Sequence, residues 1–246
     1  MLAKLGHRTL WRIGPVCAAA GALFLCAGCS VKQGENPNLI EGKRQFVSKC
    51  GSCHMLARAG TKSTVGPSLD EAFRATVEDG GGRTTFRSVV EFQVQYPNPA
   101  GVMPANLASG AVLKDIASYV AQSASRSGSD KGLLAAAVQA PGSGKPALEK
   151  AGKLEIAADP AGQLSYTTKQ ASATAGKLTI VMPNMSGVSH NIAIQSGTSG
   201  PILGASQFIT KGSVSVAVNL KPGTYTFFCQ APGHRAAGME GTLTVK

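Results

Sequence analysis

Residues 225–241 read YTFFCQAPGHRAAGMEG, an apolar run that ends in a cysteine and continues into a short loop of small residues. The loop spaces Cys229, His234 and Met239 evenly, with four residues in each interval. A further histidine, His190, lies on an earlier segment. A trigonal set of two histidines and one cysteine with a weak axial methionine is the ligand set of a mononuclear blue copper site. The stretch therefore predicts a copper centre formed by one loop and one neighbouring strand.

The chain around this loop has the pattern of short strands. Apolar and polar residues alternate in runs such as 178–180 and 214–218, and Gly, Pro, Asn and Ser separate the runs. Alternation over a few residues is typical of strands with one buried face. Residues 153–246 are therefore predicted to form about seven strands in an antiparallel sandwich.

These residues resemble the cupredoxins, the group that includes plastocyanin, azurin and auracyanin. The resemblance covers residues 153–246 and implies an all-β Greek-key sandwich in which Asn191 braces the loop near the thiolate. The copper ligands that it implies are His190, Cys229, His234 and Met239. One type 1 copper is expected, because Gly233 stands where a binuclear centre needs a second cysteine. The alternative is a structural sandwich with a buried free cysteine, which requires the histidines and the cysteine to coincide by chance.

A second motif, Cys50-Gly51-Ser52-Cys53-His54, lies in a region of helical periodicity. Two thiols one helical turn apart, followed at once by a histidine, form the attachment sequence for a c-type haem. A thioredoxin-type pair or half of a zinc site is the alternative, but the sequence has neither a second CxxC nor a βαβ pattern. The motif predicts one haem c, held by thioethers to Cys50 and Cys53 with His54 on the iron.

The residues around this motif, 38–124, resemble a class I cytochrome c, an all-α fold. The resemblance rests on Asn38 to Gly42, Phe46, the Gly66-Pro67-Ser68-Leu69 segment, the Gly101-Val102-Met103-Pro104 loop and Tyr119. It implies that His54 is the proximal ligand and Met103 the distal one, with the Pro67 carbonyl accepting the ring N–H of His54. Phe46 and Tyr119 are expected to pack where the terminal helices cross. Because a His/Met pair fills both axial positions, electron transfer is favoured over oxygen chemistry.

The first 29 residues predict export. Basic residues at Lys4, Arg8 and Arg12 precede an apolar run, as in a signal peptide. The segment Leu25-Cys26-Ala27-Gly28-Cys29 resembles the lipobox of bacterial lipoproteins. The resemblance implies a lipid anchor on Cys29 and an extracytoplasmic location, in the periplasm or on the outer face of the cell membrane. A simple cleaved signal is the alternative. An uncleaved anchor is disfavoured, because the apolar run contains Pro15 and is short against the roughly 20 residues of a spanning helix.

Composition divides the chain into parts and narrows its partners. Residues 30–37 form a tether, and the Ser, Gly, Ala and Pro of residues 125–152 predict a flexible linker between the cytochrome-like and cupredoxin-like domains. The formal charge is +11, of which the signal supplies three, leaving +8. Without a dense run of Lys and Arg, nucleic acid is not an expected partner. A diffuse positive surface favours encounter with an anionic protein or membrane.

The counts of cysteine and histidine favour an electron carrier over an enzyme. After residue 29 the chain has three cysteines and three histidines, and each falls in a ligand motif: Cys50, Cys53, Cys229, His54, His190 and His234. No histidine remains for the second copper that a copper nitrite reductase with a fused cytochrome requires. The partners expected are redox proteins, with the membrane reached through the lipid anchor. The alternative is a redox subunit or sensor of a larger respiratory complex such as a terminal oxidase.

Overall fold

The computed structural model describes residues 36–246. The predicted signal peptide at 1–29, most of the tether at 30–37 and the lipidation residue Cys29 lie outside the described residues. Within the described range, no helix combines the length and the apolar character needed to cross a bilayer.

The first part of this range is helical. Its elements are α1 (Leu39–Lys49), a 3-10 turn (Ala57–Ala59), α2 (Leu69–Ala72), α3 (Arg74–Glu78), α4 (Arg83–Gln95) and α5 (Gly110–Ser123). Asn38 begins α1, because its side-chain oxygen accepts hydrogen bonds from the backbone N–H groups of Ile40 and Glu41, both at 3.1 Å. The apolar faces of α1, α4 and α5 enclose one hydrophobic core.

Helices α1 and α5 cross at very close range. A Cβ at Gly42 would collide with the backbone carbonyl of Asp115, so only glycine lets the two backbones approach this closely. Phe46 and Tyr119 pack against each other at this crossing, with ring centroids 6.2 Å apart. The predicted contact between these two aromatic residues is therefore confirmed.

The second part is a two-layer β-sandwich. Its strands are β1 (Ala147–Leu148), β2 (Lys153–Glu155), β3 (Gln170–Ala173), β4 (Gly176–Asn184), β5 (Ala193–Ser196), β6 (Ile202–Ala205), β7 (Gly212–Leu220), β8 (Gly223–Phe228) and β9 (Glu240–Val245). One sheet has the order β1-β3-β9-β8-β5-β6 and the other β2-β4-β7. Their inward-facing residues form a second hydrophobic core, which also contains Cys229 and Met239.

The prediction of a purely antiparallel sandwich is wrong in two respects. Residues 153–246 contain eight strands where seven were expected, and two of their pairings are parallel, β2 with β4 and β3 with β9. Strand β1, which precedes this range, also pairs in parallel with β3. Alternation of apolar residues reports which face of a strand is buried, but it carries no information about the direction of the neighbouring strand. The antiparallel pairs β5–β8 and β8–β9 are those that flank the copper motif.

Residues 125–152 make specific contacts, although their composition predicts a flexible linker. They contain a short helix, α6 (Gly132–Ala135), and strand β1, which joins the larger sheet. Asp130 binds Lys43 and Arg58 of the helical part, each with a nitrogen–oxygen distance of 3.0 Å. Small and polar residues therefore do not leave this segment free, because one buried carboxylate anchors it to the helices.

Candidate metal centres

Two histidines and one cysteine form a buried cluster at one end of the sandwich. Nδ1 of His190 lies 3.1 Å from Nδ1 of His234, and the sulfur of Cys229 lies 3.9 Å and 3.5 Å from these two nitrogens. All three ligand atoms lie within 4.8 Å of one another. The structure thus brings together three of the four residues that the sequence assigned to one metal.

The local fold explains how these side chains meet. His190 precedes β5 and forms a two-hydrogen-bond bridge with Ile209, with lengths of 3.0 and 2.9 Å. Cys229 directly follows β8. The loop closes because the Cys229 N–H donates to the Met239 carbonyl at 3.1 Å and the Met239 N–H donates to the His234 carbonyl at 3.0 Å. Met239 is fully buried in the same core as Cys229.

Asn191 connects the two chain segments that supply the ligands. Its side-chain oxygen accepts the backbone N–H of Gln230 at 2.8 Å, and its side-chain nitrogen donates to the Gln230 side-chain oxygen, also at 2.8 Å. The Asn191 carbonyl in turn accepts the hydroxyl of the buried Tyr166 at 2.7 Å. Because these bonds involve the neighbours of His190 and Cys229, they hold the two ligand-bearing segments in register.

Arg235 braces the other side of the loop. Its guanidinium carbon lies 4.2 Å from the ring centroid of Phe228, a cation–π contact. Its nitrogens donate to Glu240 at 2.8 Å and to Gln195 at 3.0 Å. The residue next to His234 is therefore tied to β5, β8 and β9 together, which restricts movement of the histidine.

Burial shapes the protonation of the cluster. Desolvation, followed by the proximity of His234, lowers the pKa of His190 to about 4. Desolvation also lowers the pKa of His234. Burial raises the pKa of the Cys229 thiol, although backbone hydrogen bonds oppose this shift in part. The histidines are therefore neutral at neutral pH, the form in which they bind metals, and metal binding must displace the thiol proton.

The donor set fits a mononuclear copper. Two neutral imidazole nitrogens and one thiolate are soft or borderline donors, and the arrangement with a nearby methionine is the one expected for type 1 copper. The Nε2 of His190 is buried and has no hydrogen-bond partner among residues 36–246. His190 is 0% exposed, and its Nδ1 faces only Nδ1 of His234 and the sulfur of Cys229. This nitrogen is therefore the one that a metal in the cluster would bind.

The second motif, in the helical part, is arranged around its histidine. Nδ1 of His54 lies 2.9 Å from the Pro67 carbonyl. Since a carbonyl only accepts, Nδ1 carries the proton in this contact, and Nε2 is the nitrogen that the neutral ring offers to a metal. A Cβ at Gly66 would stand 2.8 Å from the His54 ring, so glycine is needed for the chain to pass this closely. These contacts fix the ring from two sides.

A cavity of about 430 Å³ opens beside this histidine. Its lining is mostly apolar and includes Cys50, Cys53, His54, Pro67, Met103 and Phe46. Burial raises the pKa of the Cys50 thiol to about 12, although the charge of Lys49 opposes the shift. A thiol that keeps its proton so firmly is unlike the low-pKa thiolate of a thioredoxin-type pair. The residue types and the apolar cavity fit a covalently held haem.

Sequence reasoning identified the ligand candidates and two residues that hold them, Asn191 and Pro67, but it missed the others. Gln230 and Tyr166 carried no recognisable signal, because their partner Asn191 is distant in sequence. Arg235 lies near Phe228 and Glu240 in sequence, but its contact with Gln195 is 40 residues away and carried no signal either. Asp130 could have been noticed as an acidic residue in a stretch of small residues. Nothing in its spacing indicates that it pairs with α1.

Residues 153–246 match a family model described as copper binding proteins of the plastocyanin/azurin family. Among solved structures, dithionite-reduced auracyanin from the photosynthetic bacterium Roseiflexus castenholzii is 28% identical over 40% of this chain and 99% of its own, with a TM-score of 0.36. Auracyanin A, a blue copper protein from Chloroflexus aurantiacus, is 25% identical over 42% of this chain and 100% of its own, with a TM-score of 0.32. Reduced rusticyanin is 21% identical over 41% and 84% of the two chains, with a TM-score of 0.33. No curated protein matches this sequence.

The family match and the metal cluster fall in the same part of the chain. The matched range contains all nine residues of β4, the loop from Cys229 to Met239 and the histidine at 190. Cupredoxins are typically copper proteins that transfer single electrons. This chain therefore carries a C-terminal cupredoxin domain of the plastocyanin/azurin type, residues 153–246, whose buried His–Cys–His cluster fits a type 1 copper.

Proposed function

We propose that the protein is an extracytoplasmic electron carrier that passes single electrons through two centres, a type 1 copper and a c-type haem. The copper ligands are His190, Cys229, His234 and Met239. The haem is held by Cys50 and Cys53, with His54 and Met103 on its iron. The single observation that carries the proposal is the buried cluster in which two imidazole nitrogens and one thiol sulfur lie within 4.8 Å of one another.

The protein surroundings of the copper cluster suit electron transfer rather than catalysis. His190, Cys229 and Met239 are each at most 1% exposed and His234 is 8% exposed, so water has little access. When bound, copper supplies a one-electron couple. The hydrogen bonds of Asn191 and the contacts of Arg235 resist any change in ligand positions between the two oxidation states. A rigid, dry site lowers the rearrangement that must accompany each electron.

The proposal of a haem rests on the helical part. The attachment motif, the His54 to Pro67 hydrogen bond and Met103 all border one apolar cavity. A haem held there would supply a second one-electron couple, and with both His54 and Met103 on the iron no position would be left for a substrate. The helices of residues 38–124 are proposed to be a class I cytochrome c fold on the same grounds.

Exposed apolar residues at the mouth of the cavity favour a protein partner. Val65 is 54% exposed and Val102 is 84% exposed, and both line the cavity next to His54 and Met103. Apolar residues that rim a redox site suit brief docking of another redox protein. Lasting contact through the same residues would instead correspond to the second candidate function, that of a redox subunit or sensor in a respiratory complex such as a terminal oxidase. Attachment to the membrane through a lipid on Cys29 remains part of the proposal.

An optical spectrum of the exported, copper-loaded protein tests the function. We expect reduced haem bands, a methionine-to-iron charge-transfer band when oxidised, and a thiolate-to-copper band that disappears on reduction. Cys229→Ser should remove only the thiolate band, and Met103→Ala only the methionine band. A wild-type protein that lacks the thiolate band contradicts the copper assignment. One that lacks the haem bands contradicts the cytochrome assignment.

A further inference from the structure

The sandwich and the helical part meet beside the haem-attachment motif. The loop at residues 159–164 lies against the C-terminal end of α1. Ala161 packs on the helical core. At Gly162, whose φ of 82° is in the left-handed region, a Cβ would stand 3.0 Å from the Ser48 carbonyl oxygen. Glycine therefore permits a close approach of two backbones here, two residues before Cys50.

A small cavity on this contact is lined by both metal-binding motifs. Gly51, between the two motif cysteines, lines it from the helical part. Ala237 and Gly238, between the copper ligands His234 and Met239, line it from the sandwich. The cavity measures about 30 Å³, which is room for one or two waters. The two ligand-bearing loops thus face each other across a narrow space.

The segment between the two parts holds this contact in place. Gln163 donates to the Gln139 carbonyl at 2.9 Å, which joins the loop at residues 159–164 to the segment at residues 125–152. On the other side, the Arg44 side chain of α1 donates to the Ala137 carbonyl at 3.1 Å. The connection is therefore bonded to both parts, and residues 37–246 form one compact unit.

We propose that this contact is the route of direct electron transfer between the two centres within one chain. The inference rests on the proposed function. One electron leaves the reduced centre and arrives at the oxidised one, so the iron and the copper each change charge by one, and no bond is made or broken. Gly51 lies between Cys50 and Cys53, the two cysteines proposed to hold the haem. Ala237 and Gly238 lie between His234 and Met239, two of the proposed copper ligands. The contact between these segments therefore connects the two ligand sets within one chain, without a partner protein.

A fixed contact between the two centres changes the kinetics of electron transfer between them. Two free carriers must meet by diffusion, whereas two centres in one body react without an encounter step. The transfer should therefore be first order, with a rate that does not depend on protein concentration. Exchange between separate molecules would instead speed up in proportion to concentration.

Flash photoreduction of the exported, fully loaded protein tests this route. A flavin photoreductant delivers one electron, and the haem bands and the thiolate-to-copper band are followed together. We expect opposite changes in the two bands with one common rate that stays constant as the protein is diluted. A rate that falls in proportion to dilution overturns the inference, while the presence of both bands leaves the proposed function standing. Absence of either band in the wild type refutes the proposed function instead.

A variant at the contact tests the location of the route. Ala161→Asp places a carboxylate against the helical core, and Ala217→Asp makes the same change at an exposed position of β7 as a control. We expect Ala161→Asp to lose the concentration-independent phase and the control to keep it. In the metal-free protein, hydrogen exchange at residues 159–165 should accelerate in Ala161→Asp alone. If hydrogen exchange accelerates in Ala161→Asp but the concentration-independent electron transfer is unchanged, the inference is overturned. If the variant does not fold, the dilution experiment on the wild type decides.

Discussion

The buried carboxylate of Asp130 gives the sharpest stability prediction. Its side chain is 2% exposed and binds Lys43, whose side chain is 6% exposed, with an N–O distance of 3.0 Å. It also accepts the hydroxyl of Tyr119 at 2.9 Å. Asp130→Asn removes the negative charge, so the buried Lys43 ammonium is left with neutral acceptors such as the Leu134 carbonyl at 2.9 Å. Removing one partner of a buried ion pair costs about 3–5 kcal/mol.

The expected loss lies near the lower end of that range. Arg58, the other cation on Asp130, has a side chain that is 21% exposed, so it can turn toward water when the carboxylate is gone. Lys43 cannot do so, and it carries most of the cost. We expect Asp130→Asn to lower the free energy of unfolding of the helical part by about 3 kcal/mol at pH 7. Urea unfolding of the exported protein, followed by far-ultraviolet circular dichroism, measures this difference.

The pH dependence of the difference has a definite sign. Burial alone raises the pKa of Asp130, but the hydrogen bonds from Lys43, Arg58 and Tyr119 outweigh it and lower the pKa in the folded protein. A group with a lowered folded pKa stabilises the protein above its unfolded pKa, about 3.9 for Asp, and loses this effect as the pH falls through the folded pKa. The gap between wild type and Asp130→Asn should therefore narrow below about pH 4.

A matched control separates this effect from a general loss of charge. Asp79→Asn makes the same change at an exposed position after α3 and should alter stability by less than about 0.5 kcal/mol. If Asp130→Asn costs less than about 1 kcal/mol, the range of exposed ion pairs, the structural argument is refuted. If Asp130→Asn lowers the free energy of unfolding by the same amount at pH 7 and pH 3, the stabilisation does not come from the ionised carboxylate of Asp130.

Three further substitutions test contacts that position the sites. Gly42→Ala should destabilise the helical part by about 1–3 kcal/mol, because the added Cβ would collide with the Asp115 carbonyl of α5. The shift in the midpoint of thermal unfolding measures this loss. Asn191→Ala removes both hydrogen bonds to Gln230. We expect the free energy of unfolding to fall by about 1–3 kcal/mol and the thiolate-to-copper band to shift in wavelength. Unchanged stability and an unchanged spectrum would contradict the bracing role of Asn191. Gly66→Ala should tilt the His54 ring and shift its NMR signals in the protein before haem attachment; unshifted signals would show that the glycine is dispensable.

Local patterns were sufficient for the ligand candidates. Cys229, His234 and Met239 lie in one loop between two paired strands, so residues close in sequence are close in space. The same holds for Cys50, Cys53 and His54. The sandwich was also predictable in kind, because alternation reports a buried face. Neither the parallel pairings nor the eighth strand of residues 153–246 could be predicted from that alternation.

The amino-acid sequence by itself determined which residue types are available to bind metals and, outside residues 125–152, which regions are mainly helical or mainly extended. The tertiary structure alone decided how the distant segments meet: the 3.1 Å between the imidazoles of His190 and His234, the anchoring of the connecting segment by Asp130, and the contact of Ala161 with the helical core. Periodicity and spacing describe the environment of a residue within a few turns of chain. Contacts between residues far apart depend on which packing of the whole chain buries the most apolar surface while satisfying its buried charges, and no local pattern contains that information.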